Sequence, residues 1–64
     1  MENNIIKLYQ KMNKEFERCI PDTEKFVEGN NSAGTRVRKS MQIIKSLAQE
    51  IRVEVQNQKN GVMV

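Results

Sequence analysis

The chain has 64 residues with eleven Lys and Arg, eight Asp and Glu, no His and one Cys, which gives a formal net charge of +3. This length allows at most one small domain, and a single cysteine excludes an intrachain disulfide. The lack of His removes the commonest general base, and no apolar run approaches the roughly 20 residues that cross a bilayer. We therefore expect a soluble, cytoplasmic, non-enzymatic protein with no cofactor, no metal and no membrane contact.

Apolar residues near the start of the chain recur at spacings of four and three, which places them on one stripe of a helix. They are Ile5, Tyr9, Met12, Phe16 and Cys19. We expect this stripe to be buried. Pro21 has no N–H and clashes with the carbonyl four residues earlier, so we expect it to break or kink the helix. Gly29 follows as the clearest break, since Gly suits the left-handed position after a helix end.

A second helix is predicted from about residue 32 to residue 58, ending before the Asn-Gly pair at residues 60 and 61. Its apolar stripe keeps the same spacing over three heptads, as in helix-on-helix packing. The stripe consists of Val37, Met41, Ile44, Ala48, Ile51 and Val55. Two such helices with a short connection form an antiparallel hairpin. The predicted fold is therefore all-α, with one domain over residues 1–60 and a loose tail over residues 61–64.

The apolar stripes are broader than two helices can cover between themselves. We expect Ile6, Leu8, Ile43 and Leu47 to remain exposed at the edges of the hairpin. Burying one such side chain is worth about 1.5–3 kcal/mol, which is large for a small domain. The sequence therefore favours a homodimer in the form of a four-helix bundle, with a marginally stable monomer as the alternative.

The start of the second helix is unusually basic. Residues 32–39 carry Arg36, Arg38 and Lys39 and no acid, and residues 33–64 hold six cations against two acids. Helix N-termini favour acids, so cations there cost a few tenths of a kcal/mol each. The same position presents unpaired backbone N–H groups that suit phosphate. We interpret the segment as a contact for the phosphate backbone of double-stranded DNA, provided that its cations stand on a helix and are not held by carboxylates of the same molecule.

Two further basic rows extend this interpretation. Arg38, Lys45, Arg52 and Lys59 recur every seven residues, and Lys7, Lys11, Lys14 and Arg18 lie opposite the apolar stripe of the first helix. The first row faces no acid in the predicted hairpin, so DNA or an acidic partner could neutralise it. The second row fits a solvated face more simply. The candidate DNA-binding residues are Thr35, Arg36, Arg38, Lys39, Lys45 and Arg52.

Residues 29–39, with the sequence Gly-Asn-Asn-Ser-Ala-Gly-Thr-Arg-Val-Arg-Lys, resemble the signature of the small bacterial and phage linker-histone-like proteins first associated with chlamydial chromatin. The chain departs from many relatives at Asn31, where they carry Lys. The resemblance implies a DNA-binding, nucleoid-condensing role, with Arg36, Arg38 and Lys39 at the family's basic motif. It also implies a place at the nucleoid, or action in a host cytoplasm for a phage-encoded protein.

A second hypothesis from another class stays open. The chain could be a non-catalytic helical oligomerisation or adaptor module, whose function lies in its apolar stripes and needs no nucleic acid. An enzyme is disfavoured, because the acids that occur close together are most simply carboxylates on solvated helix surfaces. These acids are Glu15 with Glu17, and Glu50 with Glu54.

Overall fold

The computed structural model describes residues 3–62, which form two α-helices, α1 (Asn4–Val27) and α2 (Asn31–Val62). The helices pack against each other in an elongated molecule that measures 53 × 19 × 11 Å. They run antiparallel, because side-chain bonds join the start of α1 to the last turns of α2. The predicted all-α helical hairpin is therefore confirmed.

The open end of the hairpin is closed by a pair of amides. The Nδ2 of Asn3 donates to the Oε1 of Gln58 over 3.1 Å, and the Nε2 of Gln58 donates back to the Oδ1 of Asn3 over 2.9 Å. The same Asn3 oxygen caps α1 by accepting from the backbone N–H of Ile5. Such a cap is worth about 1 kcal/mol. Asn3 therefore both begins one helix and ties it to the other.

The predicted end of the second helix is wrong, since α2 continues through Gly61 to Val62. A helical Gly costs about 1 kcal/mol, which does not stop a helix whose last turns carry supporting side-chain bonds. Gln58 donates to Glu54, and Gln56 donates to Asn60, each across one turn. Residues 63 and 64 of the predicted tail lie outside the described residues.

Pro21 does not divide α1 into two helices, so of the two predicted effects of this proline, a break or a kink, the break does not occur. Pro21 is exposed, so the carbonyl of Glu17 that loses its usual N–H partner lies on the solvent side. The residues on either side of Pro21 that face α2 hold the helix in register. Thr23 adds a bond from its hydroxyl to the carbonyl of Cys19 over 2.9 Å. Packing on α2 therefore outweighs the local effect of the proline.

The connection between the helices follows a Schellman motif. The N–H of Gly29 donates to the carbonyl of Phe26, and the N–H of Asn30 donates to that of Lys25. Gly29 has a φ of 108°, which side chains rarely allow. The Oδ1 of Asn30 then accepts from the N–H of Ala33 and caps α2. The predicted Gly-Asn break is thus observed, with three residues between the helices.

The buried contact between the helices, which we call the seam, differs from the predicted core. Its buried residues are Leu8, Glu15 and Cys19 on α1 and Ala33, Ser40 and Leu47 on α2. Tyr9 and Phe16, predicted to be buried, are exposed, and the predicted exposed edges Leu8 and Leu47 are buried. Three of the six buried residues, Cys19, Ala33 and Ser40, are small, and the aromatic side of α1 faces outward. Cys19 is the small buried residue that the sequence predicts.

Candidate nucleic-acid interface

The basic segment lies on a helix, as predicted. α2 begins at Asn31, so Arg36 and Arg38 fall in its second turn and Lys39 begins its third. The cap of Asn30 occupies the N–H of Ala33, one of the four N–H groups that a helix start leaves without a helical partner. Thr35 is exposed beside the start of α2, where it borders a shallow depression with Phe26 and Arg38.

Helix geometry divides the candidate cations between two sides of α2. At about 100° per residue, Arg36 and Arg38 lie about 160° apart around the helix axis, measured the shorter way. Arg36 and Lys39 lie on the side that also carries Arg18 of α1, because these three side chains line one cavity. The second group forms a separate line along α2, which we call the lateral row. The lateral row consists of Arg38, Lys45, Arg52 and Lys59.

The first side of the hairpin, which we call the basic face, carries cations from both helices. The same angular spacing places the basic row of α1 beside Arg18, on the side of the seam that faces the cavity. The basic face consists of Lys7, Lys11, Lys14, Arg18 and Lys25 on α1 and Arg36 and Lys39 on α2. All seven residues are exposed. The hairpin therefore joins two basic segments that are separate in the sequence.

Arg36 is held by a carboxylate of the same chain, which is contrary to the condition set for the DNA hypothesis. Its Nε donates to the Oδ1 of Asp22 over 2.8 Å. The Arg36 side chain is still 48% exposed. An exposed pair of this kind is worth about 0.2–1 kcal/mol, and the guanidinium has four more N–H donors on its Nη atoms. The pair reduces the charge available at Arg36 without closing the site to an anion.

The other candidate cations make no ion pair within residues 3–62. The ion pairs found there join Arg36 to Asp22 and Arg18 to Glu15, the second at 3.9 Å. The side chains of four candidate cations are exposed: Arg38, Lys39, Lys45 and Arg52. For these four residues the condition of the DNA hypothesis is met over the described part of the chain.

Glu15 is a seam residue next to the basic face, and the sequence-based expectation of a solvated surface position is wrong for it. It is only 9% exposed, and its Oε2 has no hydrogen-bond partner within the described structure. Glu15 lies seven positions after Leu8 and four before Cys19, so all three share one side of α1. This spacing was the feature of the sequence that could have indicated the burial of Glu15. A buried carboxylate with one distant cation destabilises a fold.

The side of the hairpin opposite the basic face is apolar, and we call it the apolar face. By the same helix geometry it is formed by Tyr9, Phe16 and Ile20 of α1 and Met41 and Val55 of α2, which are 40–55% exposed. Single exposed apolar residues are ordinary, but an aligned set marks a contact surface. Ile6 and Ile43 are exposed as predicted, although Ile43 lies on the basic side.

Other kinds of site find no support in the described part of the chain. Among residues 3–62, no three His, Cys, Asp or Glu side chains are grouped so that they could hold a metal ion. Neither helix, over the same range, has the length and apolar character needed to span a membrane.

Comparison with known proteins identifies the family. A family model described as Histone H1-like protein Hc1 matches residues 6–61, which span the seam, the connection and both basic segments. No curated protein and no solved structure matches the chain. The match confirms the resemblance to the histone-like family that residues 29–39 predicted. The chain therefore belongs to the histone H1-like (Hc1) family.

Proposed function

We propose that the protein binds the phosphate backbone of double-stranded DNA with little regard to sequence and condenses a nucleoid or a phage genome in the host cytoplasm. The single observation that carries the proposal is the basic segment at the start of α2, in a chain that matches the histone H1-like family over residues 6–61. Family membership and charge placement together support this conclusion.

The proposed contacts are the cations of α2 with the neighbouring hydroxyl. They are Thr35, Arg36, Arg38, Lys39, Lys45 and Arg52. Lys and Arg contacts to phosphates position a protein on DNA without reading bases. Of the exposed aromatic residues, Tyr9 and Phe16 lie on the apolar face, and the half-exposed ring of Phe26 lies against Gly34. We therefore propose that phosphate contacts, and not base stacking, carry the binding. Sequence-tolerant binding is the consequence.

Salt dependence tests this function. Binding of two duplexes of unrelated sequence is measured by fluorescence anisotropy over a series of salt concentrations. Engagement of roughly three to five phosphates gives a slope of log affinity against log salt near −3 to −5. Both duplexes should follow the same line. No binding at low salt, or affinity that does not change with salt, overturns the proposal.

Homodimer formation through the apolar face is the second part of the proposal. The aligned exposed side chains Phe16, Ile20 and Met41 support it, because water-exposed aromatic and aliphatic groups gain about 25 cal/mol per Å² when covered. The same face supports the alternative function, an oligomerisation or adaptor module with no nucleic-acid role. Only the DNA-binding function requires the cations of α2, so replacing these cations distinguishes the two functions.

A further inference from the structure

Three cations from two helices converge on one open cavity of the basic face. The cavity has a volume of about 530 Å³. It is lined by Arg18 and Asp22 of α1 and by Arg36, Lys39, Ser40, Gln42 and Ile43 of α2. It is the hairpin that creates this convergence, since Arg18 and Arg36 are eighteen positions apart in the sequence. The lateral row has no such arrangement, because its members follow a single helix about 10 Å apart.

The chemistry of the lining suits a tetrahedral oxyanion. Guanidinium groups offer planar pairs of N–H donors that match phosphate oxygens, and the Lys39 ammonium adds a compact positive charge. The Arg18 side chain is 77% exposed, so its donors are open to a ligand. Asp22 already places a carboxylate oxygen 2.8 Å from the Nε of Arg36. The Nε–H of Arg36 therefore already donates to an oxyanion among the residues that line the cavity.

We propose that this cavity seats one backbone phosphate of the bound DNA between Arg18, Arg36 and Lys39, and that Asp22 competes with that phosphate for Arg36. The inference rests on the proposed function and adds to it. It includes Arg18, which lies outside the basic motif, and it assigns the closest contact to the basic face rather than to the lateral row. We call the cavity in this role the seat. Asp22 lowers the affinity of the seat for phosphate and keeps binding reversible.

Two pairs of substitutions with equal charge test the location of the seat. Arg18→Gln with Lys39→Gln removes two cations from the cavity, and Lys45→Gln with Arg52→Gln removes two cations from the lateral row. Because both variants lose the same net charge, long-range attraction falls equally. We expect the cavity pair to lose about tenfold in affinity and to reduce the steepness of the salt slope by about one to two. The lateral pair should lose less than about threefold, because Lys45 and Arg52 lie on another side of α2 and make only outlying contacts with a duplex held on the basic face.

Two single substitutions avoid the change in fold that the loss of Arg18 could cause. Arg18 lies near Glu15, whereas neither Lys39 nor Lys45 makes an ion pair within residues 3–62. Lys39→Gln alone is therefore compared with Lys45→Gln alone, after circular dichroism has shown equal helicity. A larger loss for Lys39→Gln supports the seat. Equal losses, or a larger loss for the lateral variant, overturn it.

The competing role of Asp22 has its own matched pair. Asp22→Asn and Glu24→Gln each remove one negative charge, but Glu24 is exposed and makes no ion pair in the described structure. We expect Asp22→Asn to raise DNA affinity at least about threefold more than Glu24→Gln does. The reason is that the phosphate no longer has to compete with a carboxylate for Arg36. Equal gains overturn the competition.

The outcomes also separate this inference from the function on which it rests. A wild-type protein that does not bind duplex DNA at low salt contradicts the proposed function. A wild-type protein that binds DNA but responds mainly to the lateral variants leaves the function intact and contradicts the seat.

Discussion

The ring of Phe26, at the end of α1, occupies the space that a side chain on Gly34 of α2 would need. A Cβ built on Gly34 would lie 2.6 Å from Cδ1 and 2.7 Å from Cε1 of that ring. Real Cβ atoms do not approach aromatic carbons so closely, so the ring and the glycine exclude any larger residue unless one of them moves. This contact holds the two helices together directly beside their connection.

Gly34→Ala should therefore destabilise the protein although alanine is the better helix former. Overpacking costs about 1–3 kcal/mol, and the gain in helix propensity returns about 0.5–1 kcal/mol. We expect a net loss of about 1 kcal/mol in the free energy of unfolding, measured by urea denaturation. In a Phe26→Ala background the same change should become stabilising, because the ring is gone. A loss of equal size in both backgrounds would contradict the steric explanation.

Glu15→Leu should stabilise the hairpin. The wild-type carboxylate is buried in the seam, where its Oε2 makes no hydrogen bond and has only the Arg18 guanidinium 3.9 Å away. Replacing such a buried charged group with an apolar residue of similar size is often stabilising by about 1–4 kcal/mol. We expect a gain of at least about 1 kcal/mol, seen as a rise in Tm of several degrees. Glu17→Leu is the control. Glu17 is exposed and lies on another side of α1, so its replacement should change Tm little. A lower Tm for Glu15→Leu would show that the carboxylate contributes to the fold.

Combined replacement of Arg36, Arg38 and Lys39 by Ala separates the two functional hypotheses. All three side chains are exposed, and Ala favours helix, so far-UV circular dichroism should show an intact fold. The DNA-binding function predicts a loss of affinity of at least about tenfold and a flatter salt slope. An oligomerisation module without a nucleic-acid role would lose nothing measurable. Anisotropy with a labelled duplex distinguishes the two results.

Phe16→Lys should disrupt self-association without unfolding the monomer. Phe16 is exposed in the hairpin, so a charged residue there costs little until a second copy covers it, when an unpaired charge becomes expensive. Sedimentation equilibrium should show a lower average mass than for the wild type. Ser46→Lys adds the same charge at an exposed position off the apolar face and should leave the mass unchanged. A wild-type protein that sediments as a monomer at all concentrations would remove the proposed dimer.

The sequence was sufficient for the hairpin but not for the side of each helix that forms the contact. The seven-residue apolar pattern of α2 and the Gly-Asn break specify two helices and their reversal, because both depend on local geometry. The apolar surface of α1 is wider than one seam, and two adjacent stripes compete for α2. The small residues Ala33 and Ser40 are buried in the contact that forms, and the fit of one helix surface on another depends on both helices together.

The candidate site was predictable in composition but not in arrangement. The clustering of cations near the start of α2 is visible in residues 32–39. Their division between two sides follows from the helical period, yet the pairing of Arg36 with Asp22 and the approach of Arg18 depend on how the hairpin closes. Contacts between residues far apart in the sequence are set by the seam, which the apolar pattern left open between two choices.

The basic and apolar faces point in opposite directions across a body whose smallest dimension is 11 Å. A lone copy could only coat a duplex. Two copies packed through their apolar faces would direct their basic faces to opposite sides of the dimer. Each basic face would then hold a separate duplex. The concentration of the protein would set the share of dimers, and so whether it coats a genome or cross-links it. The contacts of each hairpin with DNA would be the same in both cases.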